Sequence, residues 1–124
     1  MFGFLNPASR NAGAGRIDPK DAVARAASGE LTVIDVRDIS ELKSSGKAKG
    51  ALHVPLMMLA TRCDPNSPEC LSALSVEKPV ALYCASGARS QMAAGMLAKM
   101  GYAEVYNLGG LYDWHAAGGQ IERA

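Results

Sequence analysis

Short β-branched runs alternate with helical stretches along most of the chain, and this alternation constrains the fold more than any single residue. Leu31-Thr-Val-Ile-Asp-Val36 and Val80-Ala-Leu-Tyr83 are too short for helices. They are also too continuously apolar for strands wetted on one face, so they read as strands buried on both. Ala51-Leu-His-Val54, closed by Pro55, and Glu104-Val-Tyr-Asn107 read as two more. Between them lie helix signals. Asp18 is an N-cap acceptor, Pro19 presets the first turn, and Ala22, Val23 and Ala26 form a stripe that Gly29 stops. Ser40 to Lys43 reads as a helical turn followed by a Ser44-Ser-Gly46 loop, and Leu56 to Ala60 as a short helix. Residues 62 to 79 carry Pro65, Pro68 and Pro79 and read as loop with one helical turn around Glu69 to Leu74. Ser90 to Met100 is a helix with Ala93, Met96, Leu97 and Met100 on one face and Gly101 as its stop. Gly109-Gly110 reads as a turn, and Leu111 to Ala117 as a last helix ended by Gly118-Gly119. Strands alternating with helices make βα units and a mostly parallel α/β sheet, whose ligands sit outside the C-terminal strand ends. Cys84 and the Asp35–Arg37 pair fall at two such ends.

Composition narrows the function. At 124 residues and 48% apolar, the chain is long enough for one core without disulfides or metal. Thirteen Lys and Arg against twelve Asp and Glu leave a net charge of +1, which excludes a basic nucleic-acid footprint. No apolar run approaches the roughly 18 residues of a membrane span. Met1-Phe-Gly-Phe-Leu-Asn-Pro lacks the basic region of a secretory signal, and three cysteines are an odd number, so a reducing, cytoplasmic setting is expected. Residues 1–15 read as a flexible Gly-rich tail and residues 16–124 as a single domain.

Tyr83-Cys-Ala-Ser-Gly-Ala-Arg-Ser90 is the stretch that carries chemistry. A cysteine leaves a strand, small residues follow, and Arg89-Ser90 opens a helix. Small side chains around Gly87 let the amides of Ala85, Ser86, Gly87 and Ala88 turn inward as an anion-binding nest. The helix N-terminus and the Arg89 guanidinium add positive charge, so Cys84 is expected as a thiolate nucleophile. A strand-terminal cysteine alone is more often core packing; the Gly, Arg and helix start reverse that reading. A phosphate-binding P-loop does not fit, because the Gly-Lys-Ser/Thr ending is absent.

This segment resembles the active-site loop of the rhodanese-like domain family, and so do its surroundings. Asp35-Val-Arg37, Glu41, Gly46, Gly50-Ala51 and Val54-Pro55 resemble the family's first signature. Tyr102 to Val105, Asn107-Leu-Gly-Gly110 and Trp114 to Gly118 resemble its closing one, and the likeness runs from about Ile17 to Ile121. The resemblance implies a rhodanese-like fold, with about five short strands and helices on both faces of the sheet. It also implies a single-domain sulfurtransferase that needs no cofactor and no metal. Cys84 would take sulfur from a thiosulfate-like donor as a persulfide and pass it to cyanide, a thiol or a protein acceptor. The four residues between Cys84 and Arg89 make a shorter cradle than that of rhodanese-fold phosphatases and arsenate reductases, and suit a lone sulfur atom better. A non-catalytic partner-binding module is disfavoured by the intact Cys84 loop. Where the family often has Gly-His-Ile, this chain has Gly46-Lys-Ala48, and Lys47 reads as a solvated surface charge. Arg89 is then the loop's one cation toward an anionic donor.

The remaining candidates read as structural. Asp35 and Arg37 support the site by anchoring a strand end rather than by lining its mouth. Cys63 and Cys70 do not match zinc spacing and read as free thiols, with resolution of a Cys84 persulfide as the alternative. His53 and His115 read as packing or surface residues, not as a partner base. Met57-Met58 and the Met96–Met100 pair read as core filler. Ser86 and Ser90 are candidate donors to bound sulfur, with helix capping the alternative for Ser90.

Overall fold

The computed structural model describes residues 15–123. Five strands form one sheet: β1 (Gly15–Arg16), β2 (Thr32–Asp35), β4 (Leu52–His53), β5 (Val80–Cys84) and β6 (Val105–Gly110). Their spatial order is β1-β6-β5-β2-β4 and every pairing is parallel. A separate antiparallel pair joins β3 (Lys47–Ala48) to β7 (Ile121–Glu122). The helices are α1 (Pro19–Ala27), α2 (Ile39–Ser45), α3 (Leu59–Cys63), α4 (Ala88–Lys99) and α5 (Leu111–Ala116), with a 3-10 turn at Leu56–Met58 before α3.

Period-two alternation in the central strands builds a core on each face of the sheet. Ile34, Val80, Leu82 and Cys84 pack with Leu59 and Cys63 of α3 and Ala93 and Leu97 of α4. Val33, Ala81 and Tyr83 face the other way, against Ala22 of α1 and Trp114 of α5. All five residues of β5 are buried, as expected of a central parallel strand. Each large side chain closed off this way contributes on the order of 2 kcal/mol of apolar transfer.

Local chemistry accounts for the helix starts. Asp18 accepts from the Lys20 amide at 2.9 Å with Pro19 in the first turn. Asp38 and Glu41 form a reciprocal capping box at α2, with Glu41 N to Asp38 Oδ1 at 3.0 Å and Asp38 N to Glu41 Oε2 at 3.1 Å.

Several readings change. Of the expected tail, residues 1–14 lie outside the described residues, while Gly15 pairs with Tyr106 as part of an edge strand. Ser44 and Ser45 belong to α2 rather than to a loop. Around Glu69 to Leu74 there are turns but no helix. Helix α4 begins at Ala88, two residues before the expected start, because Gly87 reaches a left-handed φ of 104° and caps it. Gly109-Gly110 is no turn: it extends β6, and a bulge pairs Tyr83 with Gly109 after Leu82 has paired with Asn107. Met57 is 93% exposed and Met58 also lies at the surface, so this pair is not core filler, whereas Met96 and Met100 do pack on the core. Lys47 is not a solvated charge; it ion-pairs with Glu122 and donates to the Ala51 carbonyl at 2.8 Å, which closes the β3–β7 ribbon.

Candidate active site

Cys84 ends the central strand and is fully buried. The chain then turns through Ala85 and Ser86, and Gly87 brings the backbone round so that its N–H donates to Cys84 Sγ at 3.0 Å. The Ser90 hydroxyl stands 3.5 Å from the same sulfur. Burial alone would push the Cys84 thiol pKa up. The Ser90 hydroxyl and the amides of Ser90, Gly87 and Ser86 outweigh it, and the net shift is downward. Hydrogen bonds from the loop amides and the helix start thus favour the anionic form of this sulfur.

Arg89 has a second partner besides the Cys84 sulfur. Its guanidinium forks onto the Glu41 carboxylate, Nη1 to Oε2 at 2.7 Å and Nη2 to Oε1 at 2.8 Å. Its charge still couples to the Cys84 sulfur, since attraction between the two helps to raise the Arg89 pKa, while the hydrogen bonds from Ser90, Gly87 and Ser86 weigh most on the thiol. Arg89 pulls Glu41 down to about 2, so the pair stays charged through the neutral and mildly acidic range. Glu41 serves two elements at once, boxing the start of α2 and tying the Cys84 loop to it. Ser90 is no cap. It sits inside α4, fully buried, among Asn107 Oδ1 at 2.7 Å, the Gly109 carbonyl at 3.3 Å and Cys84 Sγ. Ala85, Ser86 and Ala88 are exposed at the loop's outer face.

Asp35 and Arg37 form a buried ion pair, Nη2 to Oδ2 at 2.7 Å, at 0% and 3% side-chain exposure. Asp35 also accepts from Arg37 Nε and from the Tyr83 hydroxyl. Arg37 reaches Ser45 Oγ at 2.8 Å and the Gly46 carbonyl, and the Tyr83 oxygen accepts from the Ala48 amide at 2.8 Å. The pair thus knits β2, β5, α2 and β3 together, while Arg37 also borders the recess beside Ala85. His53 bonds the Arg37 carbonyl at 2.7 Å, and His115 is exposed on α5. All three cysteines are free. Burial pushes the Cys63 thiol up to about 12, leaving it inert at neutral pH. Beside the loop lies a recess of about 360 Å³, walled by Arg37, Ser45, Ala85, Leu111, Tyr112, His115 and Ile121.

Three residues that the sequence reading quotes for the resemblance, with no part in the site, stand at the loop. The Glu41 fork could have been suspected from its capping-box spacing after Asp38. Asn107 is a polar residue inside a buried strand, which is itself a signal of a specific bonding task. The third is Gly110, which carries no side-chain pattern at all. A Cβ there would stand 2.2 Å from the Ala85 carbonyl oxygen, so strand β6 can lie beside the loop only as glycine. Gly110→Ala is expected to push the loop outward and slow Cys84 alkylation at neutral pH by about tenfold while the protein stays folded. Iodoacetamide kinetics beside a thermal melt check this; an unchanged rate would show that the loop does not depend on that approach.

No helix of the described residues is long and apolar enough to cross a membrane. Among the same residues, no group of three or more His, Cys, Asp or Glu is placed to hold a metal ion.

Known proteins share this architecture. The Rhodanese-like domain family matches residues 18–117. The chain is 37% identical to the uncharacterized protein YqhL of Bacillus subtilis, over 79% of this chain and 69% of that protein. It is 32% identical to the thiosulfate sulfurtransferase GlpE of Pseudomonas fluorescens, over 79% of this chain and 81% of the other. A solved structure from Rhodopseudomonas palustris, of unknown function and described as a possible tyrosine phosphatase, superposes with a TM-score of 0.78 at 30% identity, covering 98% and 99% of the two chains. With a family match across most of its length and a parallel five-stranded sheet that delivers a loop-cradled cysteine, the chain belongs to the rhodanese-like domain family.

Proposed function

We propose that the protein is a sulfurtransferase working through a persulfide on Cys84. The observation that carries this reading is the Gly87 amide on Cys84 Sγ at 3.0 Å, within a nest whose donors make the thiolate accessible despite burial. With thiosulfate as donor, the Cys84 thiolate attacks the outer sulfur and forms a new S–S bond. The donor's own S–S bond breaks, and sulfite leaves with its electron pair. The loop amides then face the anionic terminal sulfur. An acceptor nucleophile attacks that sulfur: cyanide leaves as thiocyanate, a thiol leaves as a persulfide, and the Cys84 thiolate is restored. No metal or organic cofactor enters these steps. The apolar recess beside Ala85 would receive the body of a thiol or protein acceptor. Free cysteines suit a reducing, cytoplasmic compartment.

Phosphoryl chemistry is the second reading, favoured by the description of the Rhodopseudomonas palustris neighbour. The length of the loop argues against it, since four residues between Cys84 and Arg89 make a shorter cradle than that of the phosphatases and arsenate reductases of this fold, one that suits a lone sulfur atom better. Intact mass separates the two. Thiosulfate is expected to add about 32 Da to the Cys84 peptide, and cyanide to remove it. No gain from thiosulfate or mercaptopyruvate, together with hydrolysis of an aryl phosphate, would overturn sulfur transfer.

A further inference from the structure

The buried amide of Asn107 belongs to no step described so far. It is 2% exposed, and both its oxygen and its nitrogen are bonded. Oδ1 accepts from Ser90 Oγ at 2.7 Å and from the Gly109 amide at 3.0 Å. Nδ2 donates to the Gly87 carbonyl at 3.1 Å and to Gln91 Oε1 at 3.0 Å. The Gly109 N–H fixes the orientation of the carboxamide, since a flip would set donor against donor. Two of these partners, Ser90 and Gly87, are the same residues that face Cys84 Sγ. The β6 bulge and the glycines after it bring Asn107 into this position beside β5.

Ser90 has one hydroxyl proton and three acceptors in range: Asn107 Oδ1 at 2.7 Å, the Gly109 carbonyl at 3.3 Å and Cys84 Sγ at 3.5 Å. With a neutral thiol, the short bond to Asn107 holds that proton. A sulfur anion makes the charge-assisted bond the stronger one, and rotation about the Ser90 C–O bond delivers the proton to sulfur. Asn107 Oδ1 then keeps the Gly109 amide, so the move leaves no buried acceptor orphaned. We propose that Asn107 is a positioning residue, which parks the Ser90 hydroxyl one rotation away from Cys84 Sγ and pins Gly87 so that its amide faces that sulfur. This rests on the reading of Cys84 as the reacting nucleophile. The charged groups around the assembly are the Arg89–Glu41 pair, Asp38 at the start of α2, and Asp113 of α5, which accepts from the Gly110 amide at 2.8 Å. None of them bonds Asn107 or Ser90.

Asn107→Asp provides the test. Its carboxylate keeps the shape, binds the Ser90 proton more strongly, and cannot donate to the Gly87 carbonyl. The pH profile of Cys84 alkylation by iodoacetamide is expected to move up by about one unit relative to wild type. Sulfur transfer falls about tenfold at neutral pH and recovers at alkaline pH, a recovery that a merely structural defect would not show. Ser90→Ala is expected to shift the profile in the same direction, and the double variant to move no further than the larger single shift. A measurement on the unmutated protein stands apart from folding of the variants: the Asn107 side-chain amide resonances should titrate with the same midpoint as Cys84 alkylation, and that response should collapse in Ser90→Ala. Resonances that do not move, or an Asn107→Asp profile matching wild type, would overturn the inference and leave Cys84 chemistry intact. An ordinary wild-type midpoint near 8.5 would instead overturn the activated cysteine itself.

Discussion

Cys84→Ser is expected to lower sulfur transfer from thiosulfate to cyanide by at least about 10⁴-fold, the scale seen when a covalent nucleophile is removed. Serine is nearly isosteric, so the Gly87 amide and the Ser90 hydroxyl keep a partner and the fold is retained. What goes is the chemistry. A hydroxyl at its ordinary pKa offers almost no anion at neutral pH, and an oxygen–sulfur adduct is no substitute for a persulfide that the next nucleophile cleaves at sulfur. Neither other thiol can stand in. Cys63 is fully buried with its pKa pushed up to about 12, and Cys70 sits in a loop held on α3 by a Leu71 N to Arg62 O bond at 2.9 Å. Coupled thiosulfate–cyanide turnover and intact mass measured together check the result. A variant that keeps a tenth of wild-type turnover would remove Cys84 from the role assigned to it.

Asp35→Ala is expected to have the largest effect on stability, about 3–5 kcal/mol. The size follows from what remains. Arg37 is 3% exposed, and without Asp35 its charge stays beneath the site with only Ser45, the Gly46 carbonyl and the Tyr83 ring for company. The buried Tyr83 hydroxyl also loses the acceptor it donates to at 2.5 Å. A protein of this size should then melt lower by more than about 10 °C. Replacing both partners with apolar residues, as in Asp35→Leu with Arg37→Met, should recover much of the loss, since the cost lies in the unpaired charge rather than in the absent bridge. Urea unfolding of the three proteins distinguishes the two accounts. An Asp35→Ala loss below about 1 kcal/mol would mean that water reaches Arg37 and that the pair is not the anchor described above.

The parallel sheet, the Asp18 cap, and a cysteine at a strand end followed by a Gly-containing loop were legible in the chain because each is a local property. Alternation of apolar runs, a cap acceptor followed by proline, and a cysteine ahead of small residues all act within one turn or one strand. The two-residue strands β3 and β7 carry no such period, so their pairing and the Lys47–Glu122 ion pair it brings together have no local signature. The Met57–Met58 pair shows the same limit from the other side. Apolar character predicted burial, but the 3-10 turn after Pro55 leaves both side chains at the surface.

By itself the sequence determined which residues could do chemistry: a thiol at a strand end, amides free to turn inward, and a helix start behind them. Tertiary structure decided what those residues do for one another. Arg89 and Glu41 meet across 48 positions, and Lys47 and Glu122 across 75. Asn107 and Gly110 reach the Cys84 loop only because a bulge sets the register of β6 against β5. Such contacts join residues distant in the chain. Their pairing depends on strand register and on how closely two backbones approach, quantities that no local pattern of side chains encodes.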